Sequence, residues 1–390
     1  MSIRAILIGS AALIVATAGV RAADLPTVEP AGQYVRICDA FGAGFFYIPG
    51  SETCLKLSGY VRAETHWIDG DTDLLRPGGA NSEFNNWTSR ARANVRFDAQ
   101  TNSEFGLIRT FLEFQAAIGP DDYLVDYSAT STEVPYAFIE VSNDRGAFTA
   151  GRTDSFFDFY GSDDFGTRVD IDDNTTQQTL FAYTLNGPIG LKGTISIEDP
   201  DSIGRRLNGA DDYEGQEFPD LVGNIRLDRD WGSAQIMGVV RHIHDVNDDG
   251  IGWAAGAGAH VNLPVGGLGF STEVGYADGA LAYITTDPGG IGDFSGPDGS
   301  DTNKAWMARA GLTAPLGKTV SAWLDGSYTH AEDHSDAESY NFWAFVVGAA
   351  WTPNDRISMG PEVGYNNLDG DDPGEEGELF GVMWRIESMF

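Results

Sequence analysis

From Leu55 onward the chain repeatedly places apolar residues at every second position. Leu191, Gly193, Ile195 and Ile197 alternate with Lys192, Thr194, Ser196 and Glu198. Ile357, Met359, Val363 and Tyr365 alternate with Arg356, Ser358, Glu362 and Asn366. Phe270, Thr272, Val274 and Tyr276 face away from Ser271 and Glu273, and Val320, Ala322 and Leu324 from Ser321 and Asp325. A period of two sends successive side chains to opposite faces of a strand, one apolar and one polar. No comparable segment repeats at 3.6 residues, so the pattern predicts an all-β chain.

The connections between these runs alternate in length. Short turns fall at Ala99–Ser103, Ser142–Gly146, Asn186–Ile189, Arg229–Gly232, Pro264–Gly267, Pro315–Gly317 and Thr352–Asp355, several with the Gly, Pro and Asn pairings of hairpins. Long, acidic, Gly-rich connections fall at Thr65–Asn86, Ala117–Thr132, Thr153–Gln178, Asp199–Pro219, Asp245–Gly250, Asp278–Thr302, Ala331–Tyr340 and Asn367–Gly377. Seven turns and eight loops make fifteen connections, hence sixteen strands. Short turns at one rim and long loops at the other predict a sixteen-stranded antiparallel transmembrane β-barrel with periplasmic turns and extracellular loops. A β-sandwich adhesin also alternates apolar and polar positions, but it has no strict short/long rhythm of connections.

The two ends of the chain agree with export to a membrane. Arg4 precedes the apolar run Ala5–Val20, and Val20-Arg21-Ala22 sets small residues at the −3 and −1 positions of a cleavage site. Residues 1–22 therefore read as a secretory signal peptide. On the last strand Phe380, Val382, Trp384, Ile386 and the terminal Phe390 share one face, interrupted only by Ser388. A terminal aromatic of this kind resembles the signal read by barrel-assembly machinery, which makes that machinery and outer-membrane lipid and lipopolysaccharide the expected partners. After residue 22 no apolar run reaches the 18 or so residues of a spanning helix.

Composition narrows the function. The chain has 390 residues, with 24 Lys and Arg against 58 Asp and Glu, and a formal charge of −34. That sign excludes nucleic acid as an expected partner, because phosphates need bases. The only cysteines, Cys38 and Cys54, sit in an exported chain, so they are expected to form a disulfide around the 15 residues Asp39–Thr53. Closing that loop contributes about 3 kcal/mol of chain entropy. The segment 23–54 then forms a disulfide-bearing unit on the periplasmic side, ahead of a barrel spanning 55–390.

The run from Tyr34 to Gly50, YVRICDAFGAGFFYIPG, followed by Cys54 and Leu57-Ser58-Gly59-Tyr60-Val61-Arg62, resembles the opening of the alphaproteobacterial porin family. Ala147-Phe148-Thr149-Ala150-Gly151-Arg152 resembles the Gly-Arg strand before the constriction loop of general porins. The resemblance implies a homotrimeric outer-membrane pore for ions and small hydrophilic solutes, with the third loop folded inward.

A sixteen-stranded barrel encloses an aqueous lumen whose side chains set selectivity. The third long loop, 153–178, carries Asp154, Asp158, Asp163, Asp164, Asp170, Asp172 and Asp173, with Arg168 as its one base. Phe156, Phe157, Phe159, Tyr160 and Phe165 are interleaved, and aromatics in a loop seek burial, which predicts packing against the barrel wall. Arg90, Arg92 and Arg96 share one strand face with Asn94. An Arg facing lipid at the midplane costs about 2–4 kcal/mol, so these must face water. Lys56, Arg62, Arg109 and Arg152 extend the basic cluster. Bases on the wall opposite acids on the loop predict a transverse field across the constriction; the alternative is that the arginines pair with local acids such as Asp98 and Glu113.

Neither a metal nor a cofactor is expected. Asp245–Gly250 matches half of a calcium loop, but the position of its bidentate Glu is Gly256. Gly317-Lys318-Thr319 lacks the first Gly of a phosphate loop, which is Leu312. His242 with His244, and His330 with His334, lack a third ligand or an activated Ser. A barrel adhesin or receptor, and less readily a barrel hydrolase, remain the alternative functions; only a channel predicts a large ohmic pore.

Overall fold

The computed structural model describes residues 36–70, 86–119, 130–160, 164–167, 169–173, 175–200, 205, 207, 216–244, 249–286, 289–295, 301–334, 338–371 and 376–390. Sixteen antiparallel strands form the barrel wall: β1 (Cys54–Gly70), β2 (Trp87–Ser103), β3 (Gly106–Ile118), β4 (Thr130–Asn143), β5 (Gly146–Asp154), β6 (Gln177–Asn186), β7 (Leu191–Glu198), β8 (Asp220–Arg229), β9 (Gly232–His244), β10 (Asp249–Asn262), β11 (Gly269–Asp278), β12 (Lys304–Pro315), β13 (Val320–Glu332), β14 (Ser339–Asn354), β15 (Ile357–Gly370) and β16 (Gly377–Met389). Each pairs with its sequence neighbours, and β16 closes on β1 from Leu379↔Gly70 to Met389↔Tyr60. Closure leaves no edge strand, which is what a sheet requires in lipid. The short strand Phe45–Tyr47 adds to the turn end of β1. No helix among the described residues is long and apolar enough to cross a membrane.

The alternation in the sequence becomes an outside and an inside. On β7, Ile195 and Ile197 are exposed outward while Ser196 and Glu198 are buried inward. On β16, Phe380, Trp384 and Ile386 face out and Leu379, Met383 and Arg385 are buried. Outward aromatics ring the wall near both ends, with Trp67, Trp253, Trp306 and Trp343 toward the long loops and Phe97, Phe148 and Trp351 toward the short turns. Trp343 and Trp351 are eight residues apart on one strand. At roughly 3.3 Å per residue and a tilt near 40°, they stand about 20 Å apart across the membrane.

One expected turn lies wholly elsewhere. Ala99–Ser103 continue β2, with Ala99 paired to Thr110 and Ser103 to Gly106, and the reversal is at Glu104–Phe105. The Ser103 hydroxyl accepts from the Phe105 amide (3.2 Å) and donates to the Gly106 carbonyl (2.8 Å), which closes the turn there. Polar residues can stay in the ladder at this rim because the wall continues beyond the lipid.

Cys38 and Cys54 form the expected disulfide, with Cα atoms 6.0 Å apart and both sulfurs buried. It fastens residues 36–54 to the short-turn rim, where Cys54 pairs in register with Gln100. Phe390 ends the chain against β1: its amide donates to the Gly59 carbonyl (3.0 Å) and its carbonyl accepts from the Gly59 amide (3.2 Å).

The lumen is not aqueous all the way round. Inward residues of β8 to β14, among them Val222, Met237, Val239, Met307, Trp323 and Phe342, pack with loop residues Phe157, Tyr160, Ile171, Leu281, Tyr283 and Ile284 into a core inside the barrel. On that side the interior is filled by protein, and the largely polar inner faces of β1 to β7 border the rest.

Candidate functional site: the constriction of the lumen

The third loop, residues 155–176 between β5 and β6, folds inward as its aromatics predicted. It leaves β5 and runs along the inner wall from β8 to β16. The Phe156 carbonyl accepts from Asn224 Nδ2 on β8 (2.6 Å). Phe157 is buried edge-on against Tyr283, with ring centroids 5.1 Å apart. Phe159 lies over β10 at Gly258, where any Cβ would come within 2.3 Å of its ring. The Tyr160 hydroxyl donates to Asp325 on β13 (2.8 Å).

Further along, Glu362 of β15 is fully buried and accepts from the Phe165 amide (2.6 Å), the Thr167 amide (2.8 Å) and Trp323 Nε1 (2.7 Å). Val169 crosses β15 at Gly364, where a Cβ would sit 1.7 Å from its carbonyl oxygen. Only glycine lets a loop approach a strand backbone this closely. Arg385 of β16 donates to the Phe165 carbonyl and stacks over its ring at 4.6 Å.

The predicted loop acids divide into two sets. Asp158 and Asp172 are largely buried and committed to partners. Asp172 is 2 % exposed and accepts from Thr285 (2.7 Å), Thr329 (2.5 Å) and both the amide and hydroxyl of Thr286 (2.7 and 2.8 Å). Asp158 forms an ion pair with Arg205 of the fourth loop, which is itself fully buried. Buried carboxylates need such partners, so these two hold the loop in place. Burial nevertheless pushes the Asp158 carboxyl up, against the pull of Arg205.

Asp154, Asp164, Asp170 and Asp173 retain exposed or half-buried side chains. Asp154 is held by neutral donors, Tyr136 (2.8 Å) and Gln177 (3.0 Å), and Asp173 meets Arg309 (2.8 Å). Burial, together with repulsion from Asp164 and Glu362, raises the Asp170 carboxyl well above the usual range. Asp163 and Arg168 lie outside the described residues.

The basic residues on β1 and β2 share the inner face, with local acids among them. Glu64 gathers three guanidinium groups: Arg90 (2.7 Å), Arg385 (2.9 Å) and Arg62 (3.5 Å). Arg62 also meets Glu387 (2.6 Å), Arg96 meets Glu113 (2.6 Å) and Arg109 meets Asp98 (2.9 Å). Arg92, opposite Arg62 in register, Lys56 and Arg152 make no ion pair among the described residues. Local pairing is thus the dominant arrangement on this wall. Glu64, Glu362, Arg309 and Arg385 were missed in the sequence, although each has the inward parity of its strand. Arg205 and Tyr283 lie in loops and carry no such signal. Among the described residues no three His, Cys, Asp or Glu side chains gather as a metal site.

A closed sixteen-stranded barrel with an apolar outer band, a polar lumen and a loop narrowing that lumen is an outer-membrane diffusion channel. A family model described as "Porin subfamily" matches residues 24–379. The chain is 31% identical over 284 residues to porin Omp2b of Brucella suis, covering 67% of this chain and 71% of that protein. In fold it is similar to the outer-membrane channel DcaP of Acinetobacter baumannii, with a TM-score of 0.72 at 16% identity, covering 88% of this chain and 99% of that one. It is also similar to the trimer form of OmpT of Vibrio cholerae, with a TM-score of 0.56 at 10% identity, covering 86% and 100%. The chain belongs to the porin family, and its place is the bacterial outer membrane. Proteins of that name are channels rather than enzymes.

Proposed function

We propose that this porin is a homotrimeric general-diffusion channel with a mild preference for cations, set by the acids that the third loop leaves facing the lumen. The observation that carries this reading is an imbalance. Most of the wall arginines are balanced by Glu64, Glu113, Glu387 and Asp98 within 3.5 Å. Asp154 and Asp170 have no guanidinium partner among the ion pairs of the described residues. A transverse field persists in weakened form, from Arg92 toward the loop acids. Much of the remaining negative charge belongs to outer loops, where salt screens it beyond about 8–10 Å. The trimer form of the Vibrio cholerae protein of similar fold supports the oligomer. Phe390, bonded into β1, is the terminal aromatic offered to barrel-assembly machinery during insertion.

The test is single-channel recording of the purified mature protein in a planar bilayer, with reversal potential in a salt gradient. Conductance steps in threes with a cation-directed reversal potential are expected. Neutralising Asp154 and Asp170 together should bring that potential toward zero. An anion-directed potential in the unmodified protein, or one insensitive to both substitutions, would overturn the assignment.

A further inference from the structure

Beneath the start of the third loop, the inner faces of β4 to β9 enclose a cavity of about 510 Å³, open to the lumen. This lies within the roughly 300–1,000 Å³ of small-molecule sites. Glu140, Thr149, Asp154, Phe156, Thr194 and Arg226 are among its lining residues. Its charges do not cancel. The two bases on the lining, Lys192 and Arg226, both spend themselves on one carboxylate, Asp228 (3.0 and 2.8 Å). Asp158 is balanced by Arg205. That leaves Asp154, held only by a phenol and an amide, and Glu140, which makes no hydrogen bond or ion pair among the described residues. The cross-strand neighbour of Glu140 is Arg109, but that guanidinium is committed to Asp98 at 2.9–3.2 Å.

The lining also holds an unused polar group. Thr149 is 6 % exposed, faces the cavity beside Glu140 in register, and its hydroxyl makes no hydrogen bond among the described residues. Thr184 and Thr194 bond each other (2.9 Å) on the adjoining wall, and Phe156 supplies an aromatic surface. Two carboxylates without a cationic partner, free hydroxyl capacity and a ring match one chemistry: a small organic ammonium compound that carries hydroxyl groups.

We infer that this cavity is a subsite where such hydroxylated ammonium solutes pause during passage. The inference rests on the reading of the chain as an open channel. Glucosamine and N-acetylglucosamine separate the two properties, since acetylation removes the charge and keeps the hydroxyls. In single-channel recordings at millimolar concentration, glucosamine should produce voltage-dependent current noise and N-acetylglucosamine should produce little. Glu140→Gln should weaken the glucosamine effect roughly fivefold, the scale of one partly exposed ion pair, with the salt conductance step retained as the sign of a folded pore. Equal noise from both sugars would mean that the cavity reads hydroxyls alone, and would overturn the inference. So would a glucosamine effect unchanged by Glu140→Gln. A normal conductance step with neither sugar active defeats the subsite and leaves the channel intact, whereas absence of any pore defeats both readings.

Discussion

Replacing Glu362 by Ala tests how the constriction is held. Its carboxylate takes three buried donors at 2.6–2.8 Å, two from the loop backbone and one from Trp323. Each donor left unsatisfied costs about 1–3 kcal/mol. The lower part of that range applies, because removing the carboxylate also removes the cost of burying it. Trp323 and Glu362 both belong to the wall, so only the two loop amides count toward docking, which weakens by about 2–3 kcal/mol. That is a shift of roughly thirtyfold to somewhat over a hundredfold in the ratio of docked to released loop. The release is local: Asp172 keeps its bonds to Thr285, Thr286 and Thr329, and Tyr160 keeps Asp325. The assay pairs single-channel recording with hydrogen exchange. Expected are a larger, flickering conductance and lost protection at the Phe165 and Thr167 amides. Glu362→Gln, which retains one carbonyl acceptor, should fall between. Unchanged conductance with unchanged protection at both amides would refute the claim that Glu362 holds the loop.

Three further outcomes follow from the same geometry. Arg205→Ala strips Asp158 of its partner and removes the donation to the Ala282 carbonyl (2.8 Å) and the stack on Tyr283 (4.3 Å). Orphaning a buried charge costs about 3–5 kcal/mol, so proteolysis of the third and sixth loops should accelerate while the barrel stays intact. Gly364→Ala sets a Cβ 1.7 Å from the Val169 carbonyl, and conductance should rise without loss of the folded barrel. Acidification should reduce cation preference early, because Asp170 binds its proton above the usual carboxylate range of about 3.9. The sign follows from that raised affinity. Docking of the segment around Asp170 is favoured below the ordinary carboxylate pKa and weakens as pH rises through the raised one, as its charge meets those of Asp164 and Glu362. Reversal potentials measured across pH should lose this early component in Asp170→Asn; if the two titrations coincide, Asp170 does not face the conducting path.

Much of the architecture was legible in the chain because its causes are local. Strand parity is a property of adjacent residues, so Ile195 and Ser196 declare opposite faces without reference to anything distant. Lipid outside and water inside then convert parity into orientation, and Arg90 and Arg96 meet Glu64 and Glu113 on the inner face. The rhythm of short and long connections fixed the strand number, but placed turns too early at Ala99–Ser103 and Thr352–Asp355, where the wall outruns the lipid. Inward folding of the third loop was also foreseeable, since five aromatics cannot remain in water.

What the individual charges do was not legible. Asp158, Asp164 and Asp172 look alike in sequence, yet one meets Arg205, one stays half-buried at the lumen, and one is ringed by threonine hydroxyls. The partners are far away along the chain: Phe165 meets Glu362 across 197 residues, and Glu64 meets Arg385 across 321. Nor does any local pattern say that Val222, Met237 and Phe342, pointing inward, will be covered by loops instead of meeting water. Alternation sets which way a side chain points, because backbone geometry repeats every two residues. Which acids stay bare in the channel depends on where barrel closure brings distant strands and loops together, and only the tertiary structure decides that.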